Sequence, residues 1–307
     1  MIDQTPVAEL GLRDRGSAEV PARPSQSYWS QSWERLRANK IGIWAGGLIL
    51  LLTVFALLAP VLAHFMTHYT AAQQDLHDTF AAPNPRHWLG SDELGRDTLT
   101  RLLYGAQVSL GVGFLTVALS LTMGASVGLI AGFYGRWIDD GLMRAVDVIL
   151  AVPAIFLFIL MSILFKPNAI TLAVIVASVG WGTVARLVRG EVLSVKERDF
   201  MLATRSIGAR ARRLILRHLL PNVLPVMIVF ASLSVGQIIL IEAALDFLGL
   251  GITPPTPSWG NMLSNSQTYF FHSVWLVSFP GLAIFVTVLA TNVFGNALRD
   301  AFDPRLR

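Results

Sequence analysis

Few residues in this chain combine the type and the spacing that chemistry needs, and each has a plainer reading beside it. His64 and His68 stand four apart, a helical spacing that can hold a metal. No third ligand accompanies them, so an ordinary wet loop explains them as well. Glu242 and Asp147 sit inside apolar stretches, where ionisable groups mark a pathway or a paired structural site. Each lies near the end of its stretch, so its carboxylate is expected to reach water. Asn292 and Asn296 are expected either to bond across helices or to line a pathway. The lysines are Lys40, Lys166 and Lys196, and none follows a glycine, so the Gly-x-x-x-x-Gly-Lys-Ser/Thr loop that cradles nucleotide phosphates is missing. An HExxH pattern is missing too, and with no cysteine thiolate metal sites, disulfides and cysteine nucleophiles are excluded. The inventory is not that of an enzyme, and no metal or cofactor is expected on the chain.

The elements that position these residues are set by solvent. Of the 307 residues 53% are apolar and only 14% charged, against roughly a quarter charged in soluble domains. The apolar residues fall in blocks long enough to cross a bilayer, about 20 residues each. Six stretches qualify, at Ile41–Ala63, Gly105–Phe133, Leu142–Phe165, Ala169–Leu187, Val223–Leu245 and Ser273–Asn296. Lys166, Pro167 and Asn168 divide the third from the fourth, being too polar for lipid. The expected fold is an all-α integral membrane domain of six transmembrane helices over 41–296, with polar tails at 1–40 and 297–307. Residues 1–27, with Pro6, Pro21 and Pro24 among small and charged residues, read as a disordered start to the first tail. About forty polar residues precede the first span, which reads as a retained anchor rather than a signal peptide.

Charge sets the orientation. The formal net charge of +4 is a topology signal rather than a sign of nucleic-acid binding. With a cytoplasmic N-terminus, only Arg86, Arg96, Arg101 and Lys166 of the 24 basic residues fall outside. Both termini are therefore expected to be cytoplasmic, and 64–104 and 246–272 external. The external stretch from Asp246 to Phe271 has no Lys or Arg and carries Trp259 and Tyr269, which suit the membrane surface. Gly124, Gly128 and Gly132 repeat at four-residue spacing, a seam where another helix of this chain or of another subunit can approach closely.

The cytoplasmic segment 188–222 is too long for a simple turn and too polar to insert. Phe200, Ala203 and Ile207 share one face of a short helix that Gly208 ends. A second short helix carries Arg210, Arg213 and Arg217 on one side and Leu216, Leu219 and Leu220 on another, and Pro221 is expected to stop it. By periodicity alone, such helices can equally lie on anionic lipid.

The residues themselves point further. Arg198–Ala209 (RDFMLATRSIGA) and Leu216–Asn222 (LRHLLPN) resemble the EAA loop of ABC-importer permeases, in the version found in dipeptide and oligopeptide uptake systems. His87–Asp97 (HWLGSDELGRD), Leu103–Leu110 (LYGAQVSL), Glu242–Gly251 (EAALDFLGLG), Pro254–Gly260 (PPTPSWG) and Leu298–Pro304 (LRDAFDP) are similar to the C-type permease subunit of those systems. Ala203, Thr204, Gly208 and Pro221 match the loop's two small residues, glycine and proline. Leu202 stands in the glutamate slot, His218 in an isoleucine slot and Asp246 where a serine is more usual.

The resemblance implies the type I ABC importer permease fold and a multi-pass place in the bacterial inner membrane. It implies that Phe200, Ala203, Thr204, Ile207, Gly208, Ala209, Arg210 and Pro221 couple the chain to a cytoplasmic ATPase. The implied partners are a homologous second permease, two ABC ATPase subunits that hold ATP and Mg, a periplasmic or lipid-anchored substrate-binding protein, and membrane lipid. Glu242, Asp246 and Asn292 become candidates for a pathway or gate. Short peptides are the implied cargo, with nickel complexes, glutathione or sugar-like compounds as alternatives. A proton-coupled carrier using Glu242 and a membrane scaffold or sensor subunit are the readings from other classes. No cargo pocket with assignable polar groups is legible in the sequence.

Overall fold

A computed structural model describes residues 28–303. The expected disorder of 1–27 and the end of the C-terminal tail lie outside the described residues. Helices α1 (Tyr28–Ala38), α2 (Lys40–Leu57) and α3 (Ala59–Leu62) lead into a wide turn at Ala63–Thr67. After a long loop come α4 (Thr98–Tyr134), α5 (Arg136–Ala151), α6 (Ala154–Phe165), α7 (Ala169–Lys196) and α8 (Asp199–Ser206). The chain ends with α9 (Ala211–Arg213), α10 (Leu220–Phe247), α11 (Ser266–Tyr269) and α12 (Val274–Phe302). Among the described residues there is no β-strand, only an isolated bridge between Ser91 and Asp97.

Five helical segments are individually long and apolar enough to cross a membrane, and α5 with α6 would make a sixth if counted together. That pair corrects the expectation of one helix at Leu142–Phe165, because its axes bend by 80°. Pro153 has no N–H to donate and crowds the residue before it out of helical geometry; Val152 is accordingly extended, at φ −91 and ψ 129. Hydropathy averages over such a break. Pro221 corrects the reading the other way. The helix expected to stop there runs on into α10 through a wide turn at Leu214–Leu219, where Leu220 N–H donates to the Ile215 carbonyl. The proline then stands in the first turn of α10, where its missing donor costs nothing.

Helix starts are written locally. The Asp97 side chain accepts from Thr100 N–H at 2.8 Å to open α4, and Asn168 and Thr171 form a reciprocal cap on α7. The glycine seam closes within the chain, between α4 and α7. A methyl at Gly124 would meet Val184 Cβ at 2.5 Å, one at Gly128 the Ala185 carbonyl at 2.6 Å, and one at Gly132 Val192 Cγ1 at 2.7 Å. Only glycine admits that approach. Arg189 of α7 makes a two-pronged ion pair with Asp139 of α5, both contacts at 2.6 Å. Around this frame α10 packs on α4 and α12, and α2 packs on α12. Leu50, Phe55, Phe156, Ile163, Phe285 and Leu289 point outward from the bundle, as lipid-facing or subunit-facing side chains do.

Candidate functional site

The polar end of the bundle presents α8 and α9. Arg198, in extended geometry, turns the chain out of α7, and Met201 anchors α8 by burying itself against a core that includes Val192, Val195, Leu214 and Leu219. With the anchor turned inward, the remaining apolar side chains turn outward. Phe200, Leu202 and Ala203 are exposed, and Ile207 is 85% exposed. Thr204 is half-buried and donates its hydroxyl back to the Phe200 carbonyl at 2.6 Å. Gly208 takes φ +79, a left-handed geometry that lets Gly208 N–H reach the Arg205 carbonyl at 3.0 Å and Ala209 N–H the Thr204 carbonyl at 3.4 Å. No atom lies within 4 Å of where its side chain would be. Arg210 begins α9 and is exposed, as are Pro221 and Leu216. Arg205, Arg212, Arg213 and Arg217 are exposed as well, and with Arg210 they make no ion pair among the described residues. The result is an apolar face rimmed by cationic groups and uncovered by the other described residues, the makeup of a protein docking surface.

The opposite end holds Glu242 and Asp246, one turn apart in α10. The expectation that Glu242 reaches water is corrected: it is 0% exposed, and Oε1 accepts from Ser109 Oγ of α4 at 3.0 Å. Its Oε2 has no hydrogen-bond partner among the described residues. Asp246 is buried too. It accepts from Ile252 N–H at 2.5 Å and from the Ser258 hydroxyl, which ties the loop after α10 back onto the helix. Asn261 completes the fold of that loop, donating to the Ile252 and Thr256 carbonyls at 3.1 and 2.8 Å. Trp259, expected at the membrane surface, is 1% exposed and corrects that reading. Its indole donates to the Leu102 carbonyl and its backbone N–H to Ser109 Oγ, both at 3.1 Å. Both carboxylates are covered because the loop folds over them, a long-range event that local hydropathy does not encode. Tyr269 is half-buried against Phe80, and burial, then the Glu93 charge, raises its phenol above the usual tyrosine range.

Asn292 is not part of this cluster of bonds. It donates to the Val288 carbonyl of its own helix at 2.8 Å, and Asn296 is exposed; among the described residues neither bonds across helices, the first of the two roles read for them. Asp147 pairs with Arg186 at 2.8 Å on an exposed surface. His64 and His68 are both exposed.

A further polar cluster escaped reading by residue type. Between α3 and α4, His87 stacks on Tyr69 at 4.8 Å and meets Asp97 Oδ1 at 2.9 Å. Asp92 accepts from Arg96 Nε at 2.6 Å and pairs with Arg101 Nε at 3.3 Å, while Arg96 also reaches Glu93 at 2.6 Å. Thr67 and Thr100 share a bond of 2.6 Å. His87, Asp92, Arg96, Asp97 and Arg101 are all buried. Buried charges are paired or very costly, so this loop is a folded part of the structure. The alternation of acids and bases within 92–101 was the available signal.

Comparison with known proteins places the geometry. Residues 124–307 match the family model described as binding-protein-dependent transport system inner membrane component, and residues 27–83 match the N-terminal TM domain of oligopeptide transport permease C. The chain is 40% identical over 281 residues to the dipeptide transport system permease protein DppC of Alkalihalophilus pseudofirmus, covering 92% of this chain and 91% of that one. It is 35% identical over 299 residues to the oligopeptide transport system permease protein OppC of Bacillus subtilis, with 97% of each covered. Among solved structures, the MetNI methionine ABC transporter in its inward-facing conformations gives a TM-score of 0.52 at 19% identity. That match spans 66% of this chain and 97% of the other and speaks to the fold.

Proposed function

Because the chain belongs to the family of binding-protein-dependent inner-membrane transport permeases, we propose that it forms half of the translocation pathway of an ATP-driven bacterial importer for short peptides. The observation that carries this reading is the uncovered face of α8 and α9. Phe200, Leu202, Ala203 and Ile207 are exposed beside arginines that make no ion pair among the described residues, a surface suited to a protein partner. It docks on a cytoplasmic ATPase, two copies of which bind ATP and Mg outside this chain. A homologous permease supplies the other half of the pathway and an external binding protein delivers cargo.

In this reading the bent pair α5 and α6 counts as one of six spans, and both termini are cytoplasmic. Approach of the ATPases pushes on α8. Because α8 is anchored through Met201 to the core shared by α4, α7 and the segment leading into α10, the push tilts those helices together. Bond cleavage happens on the partners. Peptide cargo is supported by the names of the dipeptide and oligopeptide relatives; glutathione or another small solute would use the same machinery.

The test is affinity purification of the tagged chain from its native membrane in mild detergent. Recovery of a P-loop ATPase with a second permease, and dipeptide uptake lost on deleting that ATPase, is the expected result. Recovery of the chain alone after crosslinking would overturn it.

A further inference from the structure

We propose that Gln237, with Ser120, Thr183 and Ser234, forms a neutral subsite that holds the backbone amides of the cargo, an inference that rests on the permease reading above. A cavity of about 330 Å³ opens between α4, α7, α10 and the bent pair α5 and α6. Its walls hold these four polar residues among apolar ones that include Phe158 and Phe230, and none of the lining residues is charged. A fifth polar group, Thr116, already donates to the Ala173 carbonyl at 3.3 Å. No hydrogen bond reaches the side chains of Ser120, Thr183, Ser234 or Gln237 among the described residues.

Position turns that into an argument about solvent. Gln237 lies ten residues before the end of α10, about 15 Å at the helical rise of about 1.5 Å per residue. That is half the roughly 30 Å thickness of a bilayer core. An exposed carboxamide without a partner cannot face hydrocarbon there, so this face of α10 borders water, cargo or polar groups of the second permease across the pathway. The break at Pro153 contributes, since Leu150 and Ala154 on either side of it both line the cavity.

The chemistry of the lining selects the ligand. A carboxamide donates and accepts in the same arrangement as a peptide bond, and hydroxyls do either. With no charge in the wall, the subsite reads what all peptides share and ignores the charge of their side chains. Glu242 and Asp246 do not enter it, being covered by the loop after α10.

The chain has no cysteine, so Gln237→Cys gives it a single thiol. The assembled transporter in lipid nanodiscs is treated with a charged methanethiosulfonate reagent, and labelling is read on this chain by mass. The reference is Leu50→Cys, at an apolar outward position 65% exposed in the middle of α2. Gln237→Cys is expected to label roughly tenfold or more faster than Leu50→Cys, the ratio given by a tenfold difference in equilibrium access, and a neutral dipeptide should slow it. In uptake assays Gln237→Leu is expected to raise KM alike for acidic, basic and neutral dipeptides, and a rise confined to one charge class overturns the neutral subsite. Labelling no faster than at Leu50 overturns the subsite while wild-type peptide uptake, measured in parallel, leaves the permease reading standing. Fast labelling slowed by another solute but by no peptide overturns the peptide assignment of both.

Discussion

Replacing Gly208 isolates a single physical cost. The residue sits at φ +79, and a side chain built there meets nothing within 4 Å. Alanine therefore brings no clash, only the penalty of an L-residue in left-handed geometry, about 1–2 kcal/mol. In the free chain the turn between α8 and α9 can relax away from the strain, because Phe200 and Ile207 are exposed on its surface. The penalty falls on the docked state, whose loop must keep its shape, and 1–2 kcal/mol there weakens association by a factor of about 5–30. Asparagine tolerates the left-handed region better and should fall between glycine and alanine. The assay is titration of the purified partner ATPase against the permease pair in nanodiscs, with coupled ATP hydrolysis followed alongside. Wild-type affinity for Gly208→Ala would refute the reasoning, and equal losses for asparagine and alanine would show that space beneath the partner is limiting instead of φ.

Other perturbations test the frame. Gly128→Ala places a methyl 2.6 Å from the Ala185 carbonyl and should cost about 1–3 kcal/mol; Gly111→Ala, where nothing lies within 4 Å, should not, and thermal unfolding in detergent compares the two. Arg189→Gln removes the two-pronged partner of the buried Asp139 and should destabilise by about 1–3 kcal/mol. Adding Asp139→Asn should recover part of that in the same unfolding measurement. Asp246→Ala leaves Ile252 N–H and the Ser258 hydroxyl without their acceptor, so protease cleavage within 248–262 should rise; unchanged cleavage would mean that Trp259 holds the loop by itself.

Membrane class, the placing of most spans, the glycine seam and the position of the exposed polar segment holding α8 and α9 are properties of the sequence read alone. Each depends on composition or on short-range pattern: apolar run length, small residues every four positions, and a glycine or cap at a helix end. Even there, local rules misjudged two prolines. Pro153 breaks a stretch that hydropathy reads as continuous, while Pro221 starts a helix that periodicity reads as ending, because a wide turn upstream absorbs its missing donor. Tertiary structure alone decided which polar groups are covered. Glu242, Asp246 and Trp259 look peripheral along the chain, yet the loop after α10 folds back more than a hundred residues in sequence onto Ser109 and Leu102 and buries them. Gln237 is the converse, one amide among apolar neighbours whose importance appears only when three helices and a bent fourth element leave a cavity beside it. Exposure of a polar group in a membrane helix is set by which other helices pack against it, and helices distant in sequence make that decision.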